Sequence, residues 1–210
     1  MLKFAHPVLL ATLVVLAPFT DAAEQSRTVP EFTSIVSKGA FKLTVDVGQT
    51  QSIKIKADNR HLDWVRTEVV GNELILSYKQ KSSWSSDESV EITISTPLLQ
   101  KFRLAGAGAT EITHVQGDKF ELMSDGAGLI KVSGKVKNLS LTAKGVGMVD
   151  TKDLSAQNAD VALNGVGAVE VRVSDSLNAS VNGIGSLTYY GNPAHVNKSV
   201  NGLGHVGSGN

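Results

Sequence analysis

The sequence predicts an all-β protein folded as a right-handed parallel β-helix with coils of about 18–20 residues. Two observations carry this prediction: paired glycines recur at a fixed spacing, and apolar residues alternate with polar ones around each pair. Only Gly39, Gly48 and Gly71 precede position 106. The Gly-x-Gly pairs that follow begin 20, 19, 20, 18 and 19 residues apart and are Gly106/Gly108, Gly126/Gly128, Gly145/Gly147, Gly165/Gly167, Gly183/Gly185 and Gly202/Gly204.

Each repeat is predicted to form one coil, with a strand before the glycines, a structural turn at Gly-x-Gly and a strand after it. The alternation has the period of two that is typical of strands, because successive side chains in a strand point to opposite faces. Glycine suits the turn because it has no Cβ and adopts positive φ readily. Parallel crossovers favour a right-handed path. The pattern therefore places Val149, Val169 and Leu187 on top of one another in the core.

The composition excludes several classes of protein. The 210 residues contain 20 Lys+Arg, 20 Asp+Glu and no Cys. The zero net charge gives no electrostatic footprint for nucleic acid. The absence of thiols rules out disulfide scaffolds, cysteine-ligated metals and cysteine nucleophiles. The length allows one or two ordinary domains with a substantial core.

The N-terminus resembles a secretory signal peptide, which we predict to span residues 1–22. Lys3 supplies the positive start, an apolar run covers residues 8–16, and small residues at Thr20 and Ala22 suit cleavage after Ala22. The apolar run is too short to span a bilayer, and no later segment reaches the required ~20 residues. We therefore expect an exported protein without a membrane span, located in the periplasm, at the cell surface or outside the cell. Residues 23–28 are predicted to be a flexible N-terminus.

The region 29–104 is less regular but shows the same strand alternation. Apolar and polar residues alternate over 41–47 and again over 53–57, and turn-forming residues separate such segments. No linker divides this region from the repeats, so we interpret 29–207 as a single β-helix domain with irregular coils in 29–104 and Gly-x-Gly coils in 105–207. Atypical end repeats are common in solenoids. A separate N-terminal β-sandwich is the alternative.

Stacked coils bring equivalent positions about 4.8 Å apart, so the repeat predicts columns of side chains. One outward column contains Glu111, Lys131, Asp150, Glu170 and Thr188, and the next contains Thr113, Ser133, Lys152, Arg172 and Tyr190. Asp150 and Glu170 should therefore be neighbours, with Lys152 and Arg172 beside them. Paired carboxylates could share a proton for acid–base chemistry or bind a cation. The alternative is a solvated face whose opposite charges offset the carboxylate repulsion.

Two further features are singled out by the sequence. The position before the first glycine gives the column Ala105, Asp125, Lys144, Asn164, Asn182 and Asn201, whose asparagines are expected to stack as an amide ladder at the corner. A serine-rich segment at 82–89 contains Trp84, Asp87 and Glu88. An exposed Trp among polar residues could stack on a sugar or anchor a protein partner, or it could fold back onto the flank of the helix.

No cofactor or metal is predicted. The histidines are scattered without the spacing of a metal site. Residues 202–207 match the dinucleotide fingerprint. Only three residues follow the match in this sequence, too few to form the helix whose N-terminus would bind the phosphate.

The ordered combination of these elements resembles the head GIN domain family, whose members are described as autotransporter adhesins. The resemblance covers most of the mature chain and rests on residues 30–35 leading to Gly39 and Phe41, on the turn at Gly48, on the strand around Leu74 and on the Gly-x-Gly series. It implies a right-handed β-helix and an adhesive role. It supplies no catalytic residues that transfer to positions in this chain.

The sequence therefore favours an exported, non-catalytic β-helix that acts as a binding or adhesion module, with a glycan or a protein at the cell surface as its partner. A carbohydrate-active enzyme using the Asp150, Glu170, Lys152 and Arg172 face is one alternative. A structural envelope protein is another. The open strand edge of the last coil favours homo-oligomers through that end.

Overall fold

The computed structural model describes residues 22–79 and 90–209, which form an all-β solenoid and one helical turn, α1 (Asn59–Leu62). The strands are β1 (Ala22–Arg27), β2 (Ser34–Ser37), β3 (Ala40–Val47), β4 (Ser52–Asp58), β5 (Val65–Val70), β6 (Glu73–Tyr78), β7 (Val90–Thr96), β8 (Lys101–Leu104), β9 (Ala107–Ser124), β10 (Ala127–Ala143), β11 (Val146–Leu163), β12 (Val166–Val181), β13 (Ile184–Tyr190), β14 (His195–Val200) and β15 (Leu203–Ser208). The predicted all-β, parallel β-helix fold is confirmed.

The repeat coils stack in parallel and in the register that the glycines predict. Strand segments that follow Gly-x-Gly form one ladder, which we call face 1, and the segments that precede it form a second ladder, face 2. On face 1, Val149 pairs with Val169 and Val169 pairs with Leu187, and all three side chains are buried. Alternate residues thus fill a narrow core that runs along the axis, as the period of two requires.

Both positions of a Gly-x-Gly pair require glycine because the backbones of successive coils approach each other directly there. A Cβ at Gly126 would overlap the carbonyl oxygen of Gly106, and one at Gly128 would overlap the carbonyl oxygen of Gly108. Gly128 also has a positive φ of 148°. Both demands exclude a side chain at that position. The paired glycines therefore form two side-chain-free columns that fix the corner of the solenoid.

The chain bends at the first glycine of each pair, whereas the sequence predicts a structural turn at both. The second glycines lie inside strands instead, and they are Gly108 in β9, Gly128 in β10, Gly147 in β11, Gly167 in β12, Gly185 in β13 and Gly204 in β15. Gly185 and Gly204 are register partners in the parallel ladder of face 1. The second glycine of each pair therefore follows the bend and already pairs with the neighbouring coils.

Close approach, rather than reversal of the chain, explains glycine at these strand positions. A Cβ at Gly185 would overlap the carbonyl oxygen of Gly167, and one at Gly204 would overlap the Val181 side chain. Gly185 has a positive φ of 153°, whereas Gly204 has no positive φ. At Gly204 the packing of the last coil against its neighbours is thus sufficient to exclude a side chain.

The N-terminal half extends the same stack, but in a different order from the chain. On face 1 the order of strands is β1-β4-β7-β3-β9, so β7 lies outside β3, although it follows β3 in sequence. On face 2, β2 pairs in parallel with β8 and with β6. Three strands, β1, β4 and β5, run antiparallel to their neighbours and lie at this end of the stack. The hydrophobic core is continuous from Phe32 to Val206, so this half shares one core with the repeats.

Residues at the N-terminus of the described chain form a strand rather than the predicted flexible segment. β1 pairs antiparallel with β4, with Ala23 opposite Ala57. Arg27 donates a hydrogen bond from Nη2 to the carbonyl oxygen of Leu62 at 3.0 Å. The free edge of β4 provides backbone partners that the sequence alone does not reveal, and their hydrogen bonds order residues 22–27. The predicted signal peptide lies outside the described residues, apart from the backbone of Ala22.

None of the helical structure within residues 22–79 and 90–209 has the length and apolar character needed to cross a membrane.

Candidate functional site

The charged residues predicted to gather on face 1 do so around Lys152. Asp150 and Glu170 are register partners on neighbouring coils. Lys152 Nζ lies 3.5 Å from Asp150 Oδ2 and 3.5 Å from Glu170 Oε2. The attraction of Asp150, followed by that of Glu170, raises the pKa of Lys152. The side chains of Asp150 and Glu170 are only 11% and 22% exposed. The lysine therefore offsets the charge of two largely buried carboxylates that would otherwise repel each other.

The neighbouring column is broken, contrary to the sequence prediction. Arg172 pairs with Tyr190 as predicted, but its partner on β11 is Ser155 instead of Lys152. The register shifts between Thr151 and Ser155, so residues 152–154 form a bulge. Arg172 nevertheless lies close to the cluster, because its Nε donates a hydrogen bond of 2.8 Å to the carbonyl oxygen of Lys152. Arg172 therefore stabilises the bulge. Within the described residues, the ion pairs of Asp150 and Glu170 are formed with Lys152 and not with Arg172.

This cluster has limited chemical capacity. A general acid or base needs a proton that it can exchange with a substrate, whereas Lys152 is held between the two carboxylates. Within the described ranges, no group of three or more His, Cys, Asp or Glu side chains is arranged to hold a metal ion. The arrangement is best explained as a charge-balanced cluster that fixes the β11 bulge.

Two ladders of three residues run along face 2 and its corner, where the sequence predicts one at the corner, and a shorter amide pair joins Asn158 Nδ2 to Asn138 Oδ1 at 3.1 Å. In the predicted ladder, Asn182 Nδ2 donates to Asn164 Oδ1 at 2.8 Å, and Asn201 Nδ2 donates to Asn182 Oδ1 at 3.2 Å. The second ladder joins Asp160, Asn178 and Asn197. Asn178 Nδ2 donates to Asp160 Oδ1 at 2.7 Å, and Asn197 Nδ2 donates to Asn178 Oδ1 at 2.9 Å.

A shallow groove of about 410 Å³ follows the second ladder across strands β10, β11, β12 and β14. The side chains on its outward surface are Ser140, Asp160, Asn178 and Asn197 in one column and Thr142, Ala162, Ser180 and Ser199 in the next. We call the second column the floor, since three of its members, Thr142, Ala162 and Ser180, are half-buried. In the first column Asp160, Asn178 and Asn197 are exposed; Ser140 is half-buried and Ser199, at the end of the floor, is exposed. The groove is open, polar and parallel to the axis of the solenoid.

A row of exposed aliphatic side chains occupies the corner between the two faces. The residue between each pair of glycines points outward, and the coils place Val146, Val166, Ile184 and Leu203 in register. Their exposed fractions are 60%, 47%, 53% and 80%. Leu129 lies one coil earlier and two residues further along its strand, and it is 46% exposed. We call Val146, Val166, Ile184 and Leu203 the aliphatic row.

The aliphatic row could have been found in the sequence. Both glycines of each pair fall at inward-facing positions of the strand alternation. The residue between them therefore falls at an outward-facing position. Apolar residues at four successive surface positions contradict the polar-out pattern of a half-buried strand. Ala107 and Ala127 occupy the same column in the first two repeat coils. The side chains in this column thus become larger toward the C-terminal end.

A further polar pair on face 1 was not predicted. His114 Nδ1 lies 2.7 Å from Asp46 Oδ1, and Thr113 Oγ1 donates to the same oxygen at 3.2 Å. His114 has φ of 61° at a bulge in β9 and its side chain is 67% exposed. The predicted residues Trp84, Asp87 and Glu88 lie outside the described part of the chain.

The chain is similar to known proteins at the level of family and fold. A family model described as "Putative auto-transporter adhesin, head GIN domain" matches residues 31–193. The crystal structure of a "putative adhesin" from Bacteroides fragilis is 20% identical, with a TM-score of 0.74, and the match covers 91% of this chain and 98% of that one. No curated protein has a significantly similar sequence.

Two further crystal structures share the fold. A "putative adhesin" from Parabacteroides merdae is 14% identical with a TM-score of 0.54, and a "putative lipid binding protein" from Parabacteroides distasonis is 18% identical with a TM-score of 0.51. Each match covers 91% of this chain and 98% of the other. At these identities the similarity establishes the architecture alone.

Proposed function

Because the chain belongs to the head GIN domain family, described as putative auto-transporter adhesins, we propose that it is an exported, non-catalytic module that binds a partner protein at the cell surface. The observation that carries this proposal is the aliphatic row. Exposed apolar side chains scattered singly need no explanation, whereas a contiguous apolar surface with a polar border marks an interaction site. Four consecutive coils present such a side chain at the same corner.

The surroundings of the aliphatic row favour a protein as the partner. The residues two positions before each member of the row are polar, and they include Lys144 and the ladder Asn164, Asn182 and Asn201. An apolar centre with a polar, hydrogen-bonding border is the usual anatomy of a protein–protein interface. Binding to an anionic lipid surface would instead favour a cluster of Lys and Arg beside the apolar residues. Lys144 is the single basic residue two positions before a member of the row, and the positions two residues after the row, Met148, Ala168, Ser186 and His205, hold no Lys or Arg.

Substitution of Val166 by Asp should abolish most of this binding. A carboxylate in the middle of the row would have to be desolvated in the complex, so we expect affinity to fall at least about tenfold, equivalent to about 1.4 kcal/mol. The measurement is binding of the labelled mature chain to the cell-envelope fraction of its source, before and after protease treatment of that fraction. Ser155→Asp, on an exposed part of β11 away from the row, is the matched control and should bind normally.

The other outcomes of this experiment discriminate between functions. Binding that survives protease treatment and is reproduced by lipid vesicles would contradict a protein partner and favour a lipid-binding role. The absence of any binding would favour a structural envelope protein. Self-association through the open end would appear in sedimentation as an apparent mass that increases with protein concentration. Substitution of Leu203, the most exposed member of the row, should reduce that increase.

The second candidate function, a carbohydrate-active enzyme, rests on the adjacency of Asp150 and Glu170. Because Lys152 lies between their carboxylates, we expect no turnover of neutral or acidic polysaccharides by the mature chain. The measurement is release of reducing ends and of unsaturated products. Product formation that is lost in Asp150→Asn, with folding retained, would overturn the non-catalytic proposal.

A further inference from the structure

We propose that the groove on face 2 binds a neutral, hydroxyl-rich polysaccharide chain that lies parallel to the axis of the solenoid. This site is separate from the aliphatic row and goes beyond the proposed partner-protein function. The groove is lined by Ser140, Asp160, Asn178 and Asn197 on one side and by the floor residues Thr142, Ala162, Ser180 and Ser199. Its ligand class follows from the hydrogen-bonding capacity, the charge and the repeat of these side chains.

The amide ladder leaves half of its hydrogen-bonding capacity for a ligand. A carboxamide has two N–H donors and an oxygen with two lone pairs. Asn178 donates one N–H to Asp160 and accepts one bond from Asn197. Each such rung therefore retains one donor and one acceptor. The serine and threonine hydroxyls of the floor add groups that both donate and accept. Sugar hydroxyls, which also do both, match this surface.

The charge of the groove favours a neutral ligand. Among the residues that line it, Asp160 and Lys198 carry the formal charges, and their signs are opposite. The carboxylate of Asp160 already accepts the bond from Asn178, and Lys198 Nζ lies 4.7 Å from the centre of the Tyr189 ring. A phosphate-rich or uronate-rich polymer would need several free cations along the groove, and these residues do not supply them.

The repeat of the groove favours an extended chain of repeating units. Hydrogen-bonding side chains recur on four strands about 4.8 Å apart, with Ala162 as the one apolar member of the second column. A chain along the axis therefore meets at least one hydrogen-bonding side chain at each coil. Individual contacts are weak because the groove is shallow, but successive units of one chain bind as linked sites and increase the overall affinity. We therefore expect affinity to rise with the length of the polysaccharide.

A polypeptide fits this surface less well. Peptide backbones bind to sheets by adding a strand at a free edge, where N–H and C=O groups are unpaired. Face 2 presents side chains in this region, and the backbone groups of β10, β11 and β12 are already paired on both sides. Along these three strands the groove therefore offers a peptide none of the main-chain hydrogen bonds on which strand addition depends, and among the described residues β14, at the end of the groove, pairs on one side with β12.

The test is affinity electrophoresis of the mature chain in gels that contain laminarin, dextran or hydroxyethylcellulose, with polygalacturonate as the anionic probe. We expect retardation by at least one neutral polysaccharide and weaker retardation by shorter fragments of it. Ser180→Trp, which fills the floor, should weaken binding at least about tenfold, a loss of the size expected when a key contact is removed. Asn178→Ala, which removes the central rung without adding bulk, should weaken it in the same direction.

Three controls make the outcome decisive. Ser155→Trp places the same bulk on exposed β11 outside the groove and should bind like the unsubstituted chain. Val166→Asp should also retain polysaccharide binding, so failure of the partner-protein proposal and failure of this one are distinguishable. No retardation by any neutral polysaccharide would overturn the inference, as would retardation that Ser180→Trp leaves unchanged. Retention on a denatured-casein resin that Val166→Asp leaves unchanged and Ser180→Trp abolishes, combined with no polysaccharide binding, would assign the groove to polypeptide instead.

Discussion

Replacement of Gly147 by Ala is expected to destabilise the protein by about 4 kcal/mol or more, as is replacement of its equivalents Gly128 and Gly167. Two costs combine at this position. The backbone has φ of 140°, which a residue with a side chain adopts only at a cost of about 1–3 kcal/mol. The added Cβ would also overlap the carbonyl oxygen of Gly128 on the preceding coil, and Gly167 stacks on the other side. The coils would have to separate locally, which breaks parallel hydrogen bonds. Urea unfolding followed by circular dichroism measures the loss.

The chain provides controls that separate the two costs. Gly117 has a nearly identical φ of 142° but no atom within 4 Å of the position that a Cβ would occupy, so Gly117→Ala should cost about 1–3 kcal/mol from conformation alone. Gly145 lacks the positive φ, yet its Cβ would overlap the carbonyl oxygen of Gly126, so Gly145→Ala reports the steric cost alone. Equal losses in Gly117→Ala and Gly147→Ala would show that close stacking of the coils is unimportant.

These two columns of glycine explain why so much of the repeat region could be predicted from the sequence. The glycines fix the length of a coil, and they also show which alternate residues of each strand point inward. Val149, Val169 and Leu187 therefore stack as expected, and Asp150 lies beside Glu170. Position-by-position prediction is possible because the register is pinned at every corner by backbone contact rather than by side-chain packing.

The column that contains Lys152 could not be predicted, because coil length varies. Successive glycine pairs are 20 residues apart from Gly145 to Gly165 but 18 apart from Gly165 to Gly183. The longer coil must accommodate extra residues somewhere, and the spacing does not say where. The structure places three extra residues of β11 between Thr151 and Ser155, and a second shift, between Ala156 and Asn158, adds one residue to β12. A bulge at one point displaces Lys152 from its column while leaving the glycine corners aligned.

The N-terminal half shows a different limit of sequence reasoning. Its strands are recognisable by alternation, but it has no paired glycines that would set the order of the coils. β7 stacks outside β3, and β1 and β4 run antiparallel. Alternation determines which side chains face the core, whereas strand partners depend on distant segments of the chain. The aliphatic row was missed for another reason, since its apolar side chains occupy outward positions, where the alternation predicts polar ones.

Replacement of Phe120 by Ala is expected to cost about 3–5 kcal/mol. Phe120 and Phe102 are the largest completely buried side chains of the core. Phe120 pairs in register with Leu139 on the next coil. In a solenoid each coil contacts mainly its two neighbours, so few residues can move to fill the cavity.

Leu129→Ala is the control for this substitution. It removes an apolar side chain from the outer surface, where Leu129 is 46% exposed, and should change stability by no more than about 0.5 kcal/mol. Urea titration should show a lower midpoint for Phe120→Ala with an unchanged dependence of the free energy on denaturant, because the substitution leaves the surface exposed on unfolding nearly constant. If Phe120→Ala lost less free energy of unfolding than Leu129→Ala, Phe120 would not be packed between successive coils of the core. Phe120→Leu should fall between the two, since it retains most of the buried volume and leaves a smaller cavity.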